Sequence, residues 1–207
     1  MRKIVNLVIY PDLRLKTKSS LVEKFDDDLH RELNNMVMAT QIFRGIGLAG
    51  VQIGFMKQAI YIDYDSIMAY EDKQNNTTSA MLGKPLFMIN PTIIISSDEK
   101  FTSKEGCLSL PNIEADVTRS KYVKVEYYNE LGEFKSLETE VPLLAACIQH
   151  EIDHVNGITI AEYQSKLKRD QISKKIEKYI NFNEMKTSFD PSKTCETTGC
   201  DHEHHSH

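Results

Sequence analysis

The chain has 207 residues, 41% hydrophobic and 27% charged, an ordinary globular balance with length enough for one substantial core in a single domain. A net charge of -5 excludes a protein that binds nucleic acid over its whole surface, although a local basic patch stays open. Asn6, Pro11 and Asp12 break the opening apolar run too early for a signal or membrane segment, so a cytoplasmic protein is expected, its four cysteines reduced and available as thiolate ligands.

In chain order, a first strand ends in the turn Tyr10-Pro11-Asp12. Asp26, Asp27 and Asp28 supply the N-cap and first-turn acids of a helix whose apolar face is Leu29, Leu33, Met36 and Val37, with Gly45 as its stop. Gly45 to Gly50 is a glycine-rich bend that lets backbone come close to something, and Gln58 to Ile62 reads as a buried strand. Residues 65–84, centred on the polar run Gln74 to Ser79, are expected to be an irregular surface excursion. Strands resume at Leu86 to Ile89 and Thr92 to Ile95. Val123, Val125 and Tyr127 then alternate with Lys124, Glu126 and Tyr128 ahead of a hairpin turn at Asn129 to Gly132.

Residues 142–158 spell PLLAACIQHEIDHVNGI. Pro142 suits the first turn of a helix and Gly157 its end. His150 and His154, four apart, share a helical face about one turn, ~6 Å, from each other, so both imidazoles can turn onto one metal ion. Glu151 lies beside them, and a carboxylate there can take a proton from water, which makes the trio a hydrolytic kit. Beyond Ile160, a helix at about 161–183 carries the stripe Tyr163, Leu167, Ile172, Ile176 and Tyr179. Its other faces hold Lys166, Lys168, Arg169, Lys174, Lys175 and Lys178. Residues 184–207, rich in cysteine and histidine, read as a mobile tail outside a catalytic domain spanning 1–183. The fold class is α+β: antiparallel or mixed sheets packed around the HExxH helix, with one helix N-terminal and one C-terminal to them.

The third metal ligand decides the function. An extended HExxHxxGxxH motif fails because residue 160 is Ile. Glu177 is available from the following helix, as in another peptidase class, and that metallopeptidase reading is one alternative. Cys107, in the apolar segment Glu105 to Pro111, is the better candidate, since a thiolate binds zinc or ferrous iron strongly. A second alternative is a closed structural site of Cys107, Cys147, His150 and His154. It is disfavoured because Cys147 and His154 stand about 10.5 Å apart along a helix.

Three blocks, GIGLAGVQIG (45–54), EGCLSLP (105–111) and QHEIDHVNG (149–157), resemble the three motifs of bacterial peptide deformylases, in the same order. The resemblance extends to YPDLRL near the start and to the strand after Arg119, covering roughly residues 1 to 165. Gly50 stands where the family usually has a second Ala, and Leu110 where Val is common, positions that touch no catalytic group. What the resemblance implies is removal of the formyl group from the N-terminal methionine of new polypeptides. Cys107, His150 and His154 would hold the metal, ferrous iron in the cell, with zinc, nickel or cobalt also acceptable to these donors. Glu151 would be the general base, with the Gln52 amide and the Leu108 backbone N–H as oxyanion donors.

Gly47 would pair with an extended substrate through its backbone. Ile46, Ala146 and Cys147 would line the methionine pocket, and Glu105 would orient a ligand or pair with a nearby Arg. The expected partners are formyl-methionyl nascent peptides and, through the basic helix, the ribosome; neither a membrane nor sequence-specific nucleic acid is expected.

Overall fold

A computed structural model describes residues 5–183 and 188–189. β1 (Val5–Asn6) and a 3₁₀ turn (Leu13–Lys16) precede α1 (Asp27–Phe43). Asp26 caps α1 by accepting the Leu29 N–H, and Leu29, Leu33, Met36 and Ala39 form its buried face. The helix stops ahead of the expected glycine: Arg44 takes left-handed backbone at φ 57°, and the Gly45 N–H closes on Thr40 O.

β2 (Gly47–Ala49) runs through a 3₁₀ turn (Gly50–Ile53) into β3 (Ala59–Ile62). The polar stretch expected to be irregular is instead headed by α2 (Tyr64–Asn75). Only Ile67 and Met68 of α2 are buried. Order beyond it comes from carboxylates that capture turn donors: Asp72 takes the Ser79 N–H and the Thr77 and Ser79 hydroxyls, and Asp65 takes the N–H groups of Leu82 and Gly83.

β4 (Leu86–Ser96) is one strand where two were expected. Asn90, at φ 51°, bulges it, and the Asn90 amide holds both the N–H and the carbonyl of Val22 at 2.9 Å. β5 (Lys100–Cys107) and β6 (Leu110–Ser120) form a separate two-stranded hairpin. β7 (Val123–Tyr128) and β8 (Phe134–Thr139) make the expected hairpin around Asn129 to Gly132.

α3 (Pro142–Val155) begins with Pro142 in its first turn, and Glu71 from α2 accepts the Leu143 N–H at 3.0 Å, a donor that Val141 has no side-chain group to satisfy. α4 (Lys166–Asn183) starts later than expected. Ile172 and Ile176 anchor it, whereas Leu167 is 68% exposed and lies off the stripe. β9 (Ser188–Phe189), within the stretch read as a tail, pairs with β1.

The main sheet is antiparallel in the order β2-β3-β4-β7-β8, so β2 is an edge strand. Period-two alternation divides its buried residues between two faces. Leu48, Ala59, Tyr61, Phe87 and Ile89 meet α1, and Ala49, Ile60, Ile62 and Met88 belong to the core built on α3. α3 also packs on α2 and β6, which leaves it enclosed between the sheet and the β5–β6 hairpin. No helix among the described residues is long and apolar enough to cross a membrane.

Candidate metal centre and substrate cleft

Burial of Leu144, Ala145, Ile148, Ile152 and Val155 orients α3 so that His150 and His154 face the end of β5, with Glu151 against Gly47 of β2. The two imidazole rings are 5.0 Å apart between centroids, with planes at 73°. Cys107 ends β5, and its Sγ lies 3.2 Å from His154 Nε2. Donor atoms of Cys107, His150 and His154 all fall within 4.8 Å of one another.

These residues fit one ion. At ordinary bond lengths, a sulfur and an imidazole on a common tetrahedral ion stand roughly 3.5 Å apart, close to the spacing that Cys107 and His154 adopt. Burial and the neighbouring His150 hold the His154 pKa well below its ordinary value, leaving it neutral as a ligand must be. At His150 burial opposes charge, but hydrogen bonds with Cys107 and Glu105 outweigh it and raise the pKa, so positive charge is favoured at this point. Cys147 does not join the triad. Its thiol faces Ile46 O at 3.7 Å, and burial pushes its pKa up, so a closed four-ligand site is not assembled.

Glu151 is 4% exposed, and its Oε2 has no hydrogen-bond partner among the described residues. Burial raises its pKa to about 7. Gly47 makes room for this carboxylate: a Cβ there would lie 2.7 Å from Glu151 Oε1 and 2.7 Å from Cys147 Sγ. The Gln52 side chain is buried and fixed, its Oε1 accepting the Ala49 N–H at 2.8 Å and its Nε2 donating to Ser109 Oγ at 3.2 Å. The same Nε2 lies 3.7 Å from Cys107 Sγ, which puts the amide beside the candidate ligand cluster.

A cavity of about 780 Å³ opens over this centre. Ile46, Gly47, Leu108, Ala146 and Cys147, all expected at the site, line it together with Gln52 and Glu151. Leu143, Ser103 and Phe101 extend its walls.

The family model for polypeptide deformylase matches residues 4–170. The chain belongs to the polypeptide deformylase family. It is 40% identical over 172 residues to the peptide deformylase of Brucella suis, covering 83% of this chain and 91% of that one. The Rhizobium meliloti peptide deformylase is equally similar, at 40% over 172 residues. Among solved structures, a peptide deformylase from Legionella pneumophila superposes with a TM-score of 0.77 at 31% identity, over 89% of this chain and 99% of that one. The Ehrlichia chaffeensis peptide deformylase in complex with actinonin gives 0.74 at 32% identity, over 86% and 98% of the two chains.

Membership makes this deformylase an enzyme, a metal-dependent hydrolase of N-terminal processing, and disfavours both the general metallopeptidase and the structural module. The family acts on formyl-methionyl peptides.

Behind Cys107, His150 and His154 lies a largely buried network in which Arg119, Asp153 and Tyr163 have no expected catalytic role. Glu105 Oε2 stands 2.9 Å from His150 Nδ1, and Arg119 grips both Glu105 oxygens, at 2.8 and 2.9 Å. Arg119 also reaches Asp153 and Tyr163. Opposing charge holds Glu105 down at about 2 against the cost of its burial. One sequence signal for Arg119 exists: on β6 the inward positions Ile113, Ala115 and Val117 continue by twos to residue 119. A guanidinium in that register requires a carboxylate inside.

Proposed function

We propose that Cys107, His150 and His154 hold a divalent ion with which Glu151, Gln52 and Leu108 deformylate formyl-methionyl peptides. The convergence of three ligand atoms beside a buried, unpartnered carboxylate oxygen carries this reading. When bound, the ion supplies the Lewis acidity that makes water nucleophilic near neutral pH and polarises the formyl oxygen. Glu151 then takes the proton of the attacking water and returns it to the departing amine nitrogen. Burial supports that task, because a carboxylate with a pKa of about 7 accepts and releases protons near physiological pH. The Gln52 Nε2 and the Leu108 N–H donate to the oxyanion. Anchoring of Gln52 by the Ala49 N–H supports a donor already aimed before substrate arrives.

The substrate backbone pairs with Gly47 as an added strand, a role for which the unpaired edge of β2 is suited. Its methionine side chain enters the pocket of Ile46, Ala146 and Cys147. The cellular ion is ferrous iron; zinc, nickel and cobalt suit the same two imidazoles and thiolate. The catalytic unit is residues 1–183, acting in the cytoplasm. Its basic α4, with Lys168 and Lys175 exposed, docks on ribosomal RNA where formylated chains emerge.

The deciding experiment is formate release from a formyl-methionyl peptide, measured with and without a chelator and beside the unformylated peptide. Release that the chelator abolishes is expected. Cleavage of internal peptide bonds at comparable rate would overturn the assignment.

A further inference from the structure

Arg119 is only 3% exposed, so its N–H groups must be satisfied by protein. Nε and Nη2 are taken by Glu105, and Nη1 by Asp153 Oδ2 at 2.5 Å and Tyr163 Oη at 3.1 Å. The Tyr163 hydroxyl in turn donates to Asp153 Oδ2 at 2.7 Å, closing a triangle of three side chains. The guanidinium carbon also lies over the Tyr163 ring, 4.9 Å from its centroid, a cation–π contact that adds to the hydrogen bond in holding Arg119 in place. Tyr163 is 44% exposed, yet its hydroxyl turns inward to this triangle.

A bidentate grip transmits orientation. Because Arg119 holds both Glu105 oxygens, a tilt of the guanidinium tilts the carboxylate, and the carboxylate fixes the ring of His150 through Nδ1. Removing the tyrosine hydroxyl strands one buried Arg119 N–H and leaves Asp153, whose side chain is only 19% exposed, without its second contact. We propose that Tyr163 is a positioning residue: through Arg119 and Glu105 it orients the His150 imidazole and so sets the affinity of the triad for a divalent ion. This rests on the ligand assignment made above.

The test measures zinc affinity by competition with a chromophoric chelator at neutral pH for the full chain, Tyr163→Phe and Tyr163→Leu. The visible spectrum of the cobalt-substituted proteins and the split of kcat from KM accompany it. Tyr163→Phe keeps the ring and its volume, so it folds even if the leucine variant does not. The phenylalanine variant weakens zinc binding a few-fold and the leucine variant by ~10- to 100-fold, the range found when the groups behind a metal ligand are removed. Both shift the cobalt bands and lower kcat at constant KM. Tyr122→Phe is the control, since it deletes an exposed 2.8 Å hydroxyl bond to Glu138, which bonds neither Arg119 nor the three candidate ligands, and changes none of these readouts. Zinc affinity and cobalt bands unchanged in Tyr163→Phe, whatever its thermal stability, would overturn the proposal. Failure of the wild type to release formate would instead sink the deformylase roles and leave the zinc measurement standing.

Discussion

Alanine at position 47 tests the crowding at the centre of the site. The new Cβ falls 2.7 Å from Cys147 Sγ and 2.7 Å from Glu151 Oε1, with Glu151 Cγ at 3.1 Å. Non-bonded contacts settle near ~3.5 to 4.0 Å, so roughly 1 Å of movement is required on two sides at once. Overpacking of this kind costs about 1 to 3 kcal/mol of stability. Displacing a catalytic group by about 1 Å lowers turnover by the order of 10²-fold. Gly47→Ala is therefore expected to lose both, as read by urea unfolding and by kcat/KM for formate release at matched metal content.

The companion variant is Gly47→Ala with Cys147→Ala. It removes the Sγ overlap but not the Glu151 overlap, so stability recovers beyond the sum of the single effects while turnover stays low. A fully active Gly47→Ala, or a double variant with wild-type turnover, would refute the reasoning.

Three further outcomes are expected. Glu151→Gln leaves the triad intact and removes only the proton acceptor, so metal content and melting temperature hold while formate release falls by about 10²- to 10⁴-fold; near-wild-type turnover would remove Glu151 from its role. Glu105 titrates near 2 when folded against an ordinary 4.5. Its contribution, about 3 kcal/mol, is therefore complete above pH 4.5 and lost as pH falls toward 2. The urea-stability gap between wild type and Glu105→Gln should close across that window, and a gap unchanged from pH 7 to pH 3 contradicts the assignment. Ribosome binding should weaken steeply with salt and fail when Lys168, Arg169 and Lys175 are reversed to Glu; binding indifferent to both would exclude docking through α4.

The grouping of Cys107, His150 and His154 was legible because the histidine pair is a local signal and Cys107 stands in a recognisable block, EGCLSLP. Two histidines four apart need only a helix to share a face, and the one well-placed thiolate is Cys107. Regular structure held by polar groups was not legible. α2 buries just Ile67 and Met68, so no apolar period marks it, and the chain after it is ordered by Asp65 and Asp72. β5 alternates exposed and half-buried residues except at Glu105, because a two-stranded hairpin has little core to cover. Tyr163 misled for a related reason: its ring fits an apolar stripe, whereas its hydroxyl is what the structure uses. Arg119 and Asp153 sit 34 residues apart, a distance that no spacing rule spans.

β2 combines an open edge with a length of three residues. Main-chain pairing at such an edge is blind to side-chain identity, which suits the proposed pairing of β2 with formyl-methionyl peptides of varied sequence. The same blindness is hazardous, since an open edge will also accept a strand from a neighbouring copy and seed aggregation. In the proposed pairing three residues register a short N-terminus, and a strand this short is a poor template for a lasting intermolecular sheet. Generality toward clients and solubility at high concentration thus impose opposite demands on one strand, and its brevity reconciles them.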